Sequence, residues 1–281
     1  MSTRTRSTAG AQEVADIAAI VEGIRSRSGP GPNIIAAFQE QFGLEVRDAR
    51  ARTGGNRGTH YDFEILVGDV WRRVEHKGSA AAVPVSSTDK PWTAGVQFHN
   101  GGCEKYTIAR KYARLWYDTY IGSGTLRSTW GLEAAIPTFE EWYAKDAKVQ
   151  GDPGTAFGKE LKRKVRAVRG PKGSLREERA AVNAAFDITA EDLHVFSEEA
   201  FAALNAALSQ KDYWLTIHGD PTGEFYCRWW PPFVLSPPAV ITVRKELDIY
   251  FDFTCTEGVS FSGLLRWGKG AGFSNLRIDA R

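Results

Sequence analysis

The segment HYDFEILVGDVWRRVEHK, residues 60–77, decides how the chain is read. Polar and apolar residues largely alternate through HYDFEILV. The Gly68–Asp69 pair is a turn signal, and VWRRVEHK is a second strand-like run, so the segment predicts a β-hairpin with a type II′ turn. A two-residue loop sets Val67 opposite Val70. Asp62 then faces Glu75, Glu64 faces Arg73 and His60 faces Lys77. Since strand side chains alternate, Asp62, Glu64, Glu75 and Lys77 share one face, while Phe63, Ile65, Val67, Val70 and Val74 form the core face.

Glu64 and Arg73 make an ordinary favourable pair. Asp62 opposite Glu75 does not, because like charges directly opposed in a sheet are destabilising. At about 5 Å and an effective dielectric of about 20 the repulsion is about 3 kcal/mol. Protonation, screening water or a bridging cation relieves it. Two converging carboxylates with room for water suit a hard divalent ion such as Mg²⁺, which takes oxygen ligands and keeps several waters. Lys77, one step along the same face, points at the same space.

Outward from the hairpin, residues 1–10 read as a frayed tail. Val14, Ile17, Ala18, Val21 and Ile24 form a helical stripe that ends at GPGP, residues 29–32. Asn33 is the expected cap of a short helix carrying Ile34, Ile35, Phe38 and Phe42, which Gly43 closes. Residues 44–50 read as a strand and 104–120 as an amphipathic helix. Residues 126–211 are mainly helical, with start signals at Thr138/Glu141, Ser174/Glu177 and Thr189/Asp192. Aromatic-rich strands follow Asp212. The expected organisation is a tail (1–10), a catalytic core (11–125), a helical region (126–211) and a β-rich C-terminal region (212–281) packed on the core.

Asp62 followed by Glu75-His76-Lys77 on neighbouring antiparallel strands resembles the PD-(D/E)XK nuclease superfamily, the fold of most type II restriction endonucleases. The resemblance covers roughly residues 33–120, and Tyr61 stands where the name-giving motif has Pro. It implies an α/β fold: a restriction-endonuclease-like mixed central sheet flanked by helices, here with a helical insertion and a β-rich C-terminal region. It also implies Mg²⁺, with Mn²⁺ as a substitute, held by Asp62, Glu75 and the main-chain carbonyl of His76. Lys77 would orient or help deprotonate the attacking water, and Glu40 is the candidate auxiliary acid from the preceding helix. The activity implied is metal-dependent endonucleolytic hydrolysis of DNA. A second acid-then-ExK string, Asp152 with Glu160 and Lys162, lies in a helix-like run where residues two apart do not share a face.

Weaker candidates surround this site. His60 and Gln97 could serve it as auxiliary polar groups, although an edge histidine and an ordinary glutamine are the bland alternatives. Arg110, Lys111 and Arg114 on the helix after the hairpin, and Lys162, Arg163, Lys164 and Arg166 in the basic run, are candidate phosphate contacts; a solvated helix face is the alternative. Trp214, Tyr226, Trp229 and Trp230 could stack on bases, but core packing is the default for such residues.

The 281 residues suffice for a full core, and 42% hydrophobic with 25% charged residues excludes a wholly disordered chain. No apolar run approaches the length of a membrane span. Three dispersed cysteines fit a reducing, cytoplasmic setting better than a disulfide scaffold or zinc ribbon. The formal charge of +2 is uninformative because 36 basic and 34 acidic residues nearly cancel. DNA is the expected partner, and a homodimer is expected where both strands of a duplex are cut. The alternative from another class is a nucleic-acid-binding protein without catalysis.

Overall fold

Helix formation at the N-terminal side follows the apolar stripe. In the computed structural model, which describes residues 6–52, 61–79, 106–148, 151–169, 175–219, 223, 225–232, 234, 236, 238–255, 260–267 and 276–280, α1 spans Arg6–Ser26 and buries Ile20, Val21 and Ile24. It therefore begins inside the stretch expected to be a tail. Helix α2 spans Gly31–Phe42 and buries Ile34, Ile35 and Phe38. Asn33 is not its cap: Pro30 holds that position with no side-chain hydrogen bond, and Pro32 lies in the first turn, where its missing N–H costs nothing. Gly43, at φ 67°, closes the helix as expected. The two helices meet where Gly23 and Gly31 are both small: a Cβ on Gly31 would lie 1.9 Å from the Gly23 carbonyl oxygen.

The chain forms two compact units, Met1–Gly95 with Asn205–Val234, and Val96–Leu204 with Leu235–Arg281. The first holds a mixed five-stranded sheet in the order β1 (Val46–Ala51), β2 (Phe63–Val67), β3 (Val70–Ser79), β4 (Tyr213–Gly219), β5 (Phe225–Trp230). Its pairings are antiparallel except β3 with β4, which are parallel. A parallel partner needs a long crossover, and the chain between β3 and β4 supplies much of the second unit. The hairpin has the expected register, Val67 with Val70 through Phe63 with Val74. Gly68 sits at φ 61° and Asp69 is not at positive φ, the pattern of a type II′ turn. Phe63, Ile65, Val67 and Val74 join the helix side chains, Leu215, Ile217 and Trp229 in one core. Phe38 meets Tyr213 and Trp229 edge-on, at centroid separations of 5.0 and 4.9 Å. Val70, expected on the core face, is 48% exposed at the turn.

The second unit holds α3 (Thr107–Trp116), which continues as a π-helical turn over Tyr117–Gly122, then α4 (Thr125–Trp130), α5 (Phe139–Trp142), α6 (Ala156–Arg169), α7 (Arg176–Ala185) and most of α8 (Ala190–Leu208). Thr138 caps α5 through the Glu141 N–H, and Thr189 exchanges hydrogen bonds with Asp192 at the start of α8, both as expected. Ser174 lies outside the described residues. A four-stranded antiparallel sheet completes the unit: β6 (Pro238–Lys245), β7 (Ile249–Cys255), β8 (Ser260–Trp267) and β9 (Leu276–Ala280). Asn183 donates to the Glu246 and Leu247 carbonyls, and Phe196 packs on Phe251 with ring centroids 4.6 Å apart.

The expected plan groups these elements differently. β4 and β5 join the hairpin sheet, whereas β6, β7, β8 and β9 form a separate sheet, and α3 belongs to the second unit rather than to the one with the hairpin. Strand partners far apart in sequence leave no local pattern, and this division depends on them.

Candidate active site

The end of β2 makes the first site group. Phe63 is the last residue in register; Asp62 stands at a bend, and its own N–H donates to the Val74 carbonyl at 2.8 Å, one residue out of step. The next N–H on β3, that of His76, is taken by the Asp62 carboxylate at 2.7 Å. Asp62 is thus not a simple cross-strand partner of Glu75, as strict pairing predicts, but a carboxylate replacing a backbone acceptor at the ladder's end. A strand residue's N–H and C=O leave on the same edge, so the His76 carbonyl is directed toward this end of β2 as well.

Burial, then the charge of Glu75, raises the Asp62 carboxyl from the ordinary 3.8 to about 6, against the His76 N–H and the Lys77 ammonium. Glu75 is itself buried. Its Oε1 lies 2.5 Å from Lys77 Nζ, and its Oε2 lies 3.4 Å from Nζ of Lys211. Lys211 sits just before β4, and β4 pairs Trp214 with Glu75. Its ammonium lies 4.3 Å from the centroid of the Trp214 ring. Burial opposes the charge on both lysines. At Lys77 the carboxylates outweigh it and hold the pKa above the ordinary value; at Lys211 burial, with Lys77 adding to it, holds the pKa below.

His76 faces the opposite, helix-covered side. It is buried, its Nε2 meets no hydrogen-bond partner, and burial followed by the Lys77 charge lowers its pKa to about 4. It is a neutral side chain of the core edge, as its position in the strand predicts.

Sequence reasoning missed two contributors. Lys211 is one. The other is Glu13 on α1, an exposed acid whose charge is the smallest of the contributions acting on Asp62 and Lys77. Glu40, the expected auxiliary acid, lies exposed on α2. Glu64 and Arg73 are cross-strand partners as predicted, yet they do not pair. Glu64 binds Arg50 Nε at 2.5 Å, and Arg73 binds Asp212 at 3.1 Å. His60 and Gln97 lie outside the described residues.

Many of the proposed phosphate contacts already have carboxylate partners. Arg110 binds Glu140 at 2.5 Å, Lys111 binds Asp192 at 2.5 Å and Arg114 binds Asp118 at 2.8 Å. Lys162 pairs with Asp152, the acid of the rejected second motif, and Lys164 pairs with Glu160 at 3.4 Å. Arg163 reaches Glu160 only at 3.9 Å and is largely exposed, as is Arg166. Among the aromatic candidates, Trp214 and Trp229 are core residues, while Tyr226 is exposed. Trp230 is half-buried and donates to Thr216 Oγ1 at 3.2 Å.

As a donor set, Asp62 and Glu75 fit a hard divalent ion that takes one or two carboxylates and fills its other positions with water. Among the described residues no group of three or more His, Cys, Asp and Glu forms a fuller cage, and no helix is long and apolar enough to cross a membrane. Comparisons with protein-family models, curated proteins and solved structures return no match for this chain.

Proposed function

We propose that the chain is a PD-(D/E)XK-like, Mg²⁺-dependent endonuclease that hydrolyses phosphodiester bonds in DNA. The observation that carries the reading is geometric: the Asp62 carboxylate accepts the His76 N–H at 2.7 Å, and on either side of His76 in the same strand Glu75 and Lys77 meet at 2.5 Å. The mixed sheet agrees with the expected fold class.

In this reading Asp62, Glu75 and the His76 carbonyl would hold the ion. When bound, Mg²⁺ would supply an activated water and neutralise charge developing on the phosphate. From its place beside Glu75, Lys77 would orient the attacking water or stabilise the phosphate oxygens. Asp62 must be ionised to serve, which its raised pKa makes incomplete below about pH 6. Glu40 remains the candidate auxiliary acid, and Glu13, an exposed acid on α1 with a small charge effect on Asp62 and Lys77, is a second. Of the seven basic candidates, Arg163 and Arg166 are the least committed to carboxylates and so the ones to contact DNA, and two copies of the chain would serve to cut both strands.

The test is plasmid and linear DNA incubated with the purified chain, with and without Mg²⁺ or Mn²⁺. Metal-dependent cleavage that Glu75→Ala and Lys77→Ala abolish, in folded variants, is the expected result. Full cleavage by either variant would refute the assignment. Salt-sensitive DNA binding with no cleavage would return the chain to a non-catalytic nucleic-acid-binding role.

A further inference from the structure

Glu75 carries an ammonium group on each carboxylate oxygen: Lys77 on Oε1 and Lys211 on Oε2. The two lysines are not equivalent. The Lys77 side chain is 24% exposed and lies on the same strand as its partner, whereas that of Lys211 is 6% exposed, comes from 136 residues further along the chain, and lies over the Trp214 ring. The backbone anchors it as well, since the Lys211 N–H donates to the Leu208 carbonyl at 3.0 Å. Lys77 is therefore the lysine able to turn toward a substrate, and Lys211 is the one held in place.

We propose that Lys211 is a positioning residue that acts as a resident counter-charge, fixing Glu75 in the metal-free protein and holding down the affinity of the Asp62–Glu75 pair for a divalent ion. The inference rests on the metal site proposed above but not on DNA cleavage. The physical basis is twofold. A buried carboxylate flanked by a second acid needs cations to remain ionised, and two lysines meet that need without metal. A divalent ion arriving at Glu75 then meets a fixed positive charge a few ångströms away. In a partly desolvated site that repulsion opposes binding. Removing the charge while keeping the side chain's bulk should thus tighten metal binding, whereas a lysine that only supports packing would leave affinity unchanged or weaken it.

Mn²⁺ is the probe, titrated into the full chain with free ion followed by electron paramagnetic resonance. Lys211→Met, and Lys211→Gln as a second neutral variant should the first fold poorly, are expected to lower the Mn²⁺ Kd by about tenfold or more. Lys211→Arg, which keeps the charge, should stay within about twofold of the parent, and Glu75→Gln should remove binding. A folded neutral variant that binds Mn²⁺ no more tightly than the parent overturns the proposal, even if the parent cuts DNA. Tighter binding in the neutral variants from a parent that cuts nothing keeps the proposal and removes the nuclease reading. Failure of parent and neutral variants alike to bind Mn²⁺ overturns both.

Discussion

The Asp62 carboxylate accepts the backbone N–H of His76 at 2.7 Å, closing the hairpin ladder with a side chain where the next backbone carbonyl would stand. This bond ties a site residue to the strand that carries Glu75 and Lys77, so the geometry of the acids follows from the end of the sheet rather than from loop conformation. It also leaves a carboxyl buried beside another acid, with a pKa of about 6.

A pH dependence follows from that burial. The folded chain holds the Asp62 proton more tightly than the unfolded chain, so stability of the metal-free protein falls as pH rises from 3.8 to about 6 and levels off above. Asp62→Asn keeps an oxygen acceptor for His76 and removes the charge. It should stabilise the metal-free protein by about 1 kcal/mol at neutral pH, allowing for the group's partial exposure, and make little difference near pH 4. Urea unfolding at the two pH values measures this.

Glu75→Ala leaves two ammonium groups facing one another in a poorly solvated space. A loss of about 3 kcal/mol is expected, since removing one member of a buried charge cluster costs more than the cluster is worth. Adding Lys211→Met to Glu75→Ala should recover a substantial part of the loss. Chemical denaturation of the two single variants and the double variant gives the coupling directly, and additive effects would contradict the shared contact.

The two candidate auxiliary acids separate by substitution. Glu40→Gln should lower metal-dependent cleavage several-fold and reduce Mn²⁺ affinity. Glu13→Gln should do both less, because the charge effect of Glu13 on Asp62 and Lys77 is small. Equal effects would mean that α2 holds no special place in the site.

For DNA binding, exposed and weakly paired charges should matter more than those already committed to carboxylates. Replacing Arg166 or Arg163 by Ser is expected to weaken binding and reduce the slope of log affinity against log salt by about 1 each. Arg114→Ser, which breaks the Asp118 pair, should have a smaller effect. Affinity at several salt concentrations distinguishes them.

Residues 60–77 carried much of this account without help. The register of the hairpin, its type II′ turn, the shared face of Glu75 and Lys77 and the inward side of His76 all follow from alternation and from a two-residue loop, which are local properties of the backbone. The helix over 14–24 and the Thr138 and Thr189 caps were legible for the same reason, although Val14 and Ala18 of the expected stripe are exposed and Ile20 is buried in their stead. Local rules stop where partners are distant. Asp62 leaves the register because its side chain competes for the His76 N–H, and pairing rules do not weigh such a competition. Arg73 turns to Asp212 rather than to Glu64, and Lys211 reaches Glu75, only because β4 lies parallel beside β3. Glu13 enters through the packing of α1 on the sheet. Neighbours across a fold are chosen by burial and charge summed over the whole chain, so alternation could name the acids and one lysine but not the company they keep.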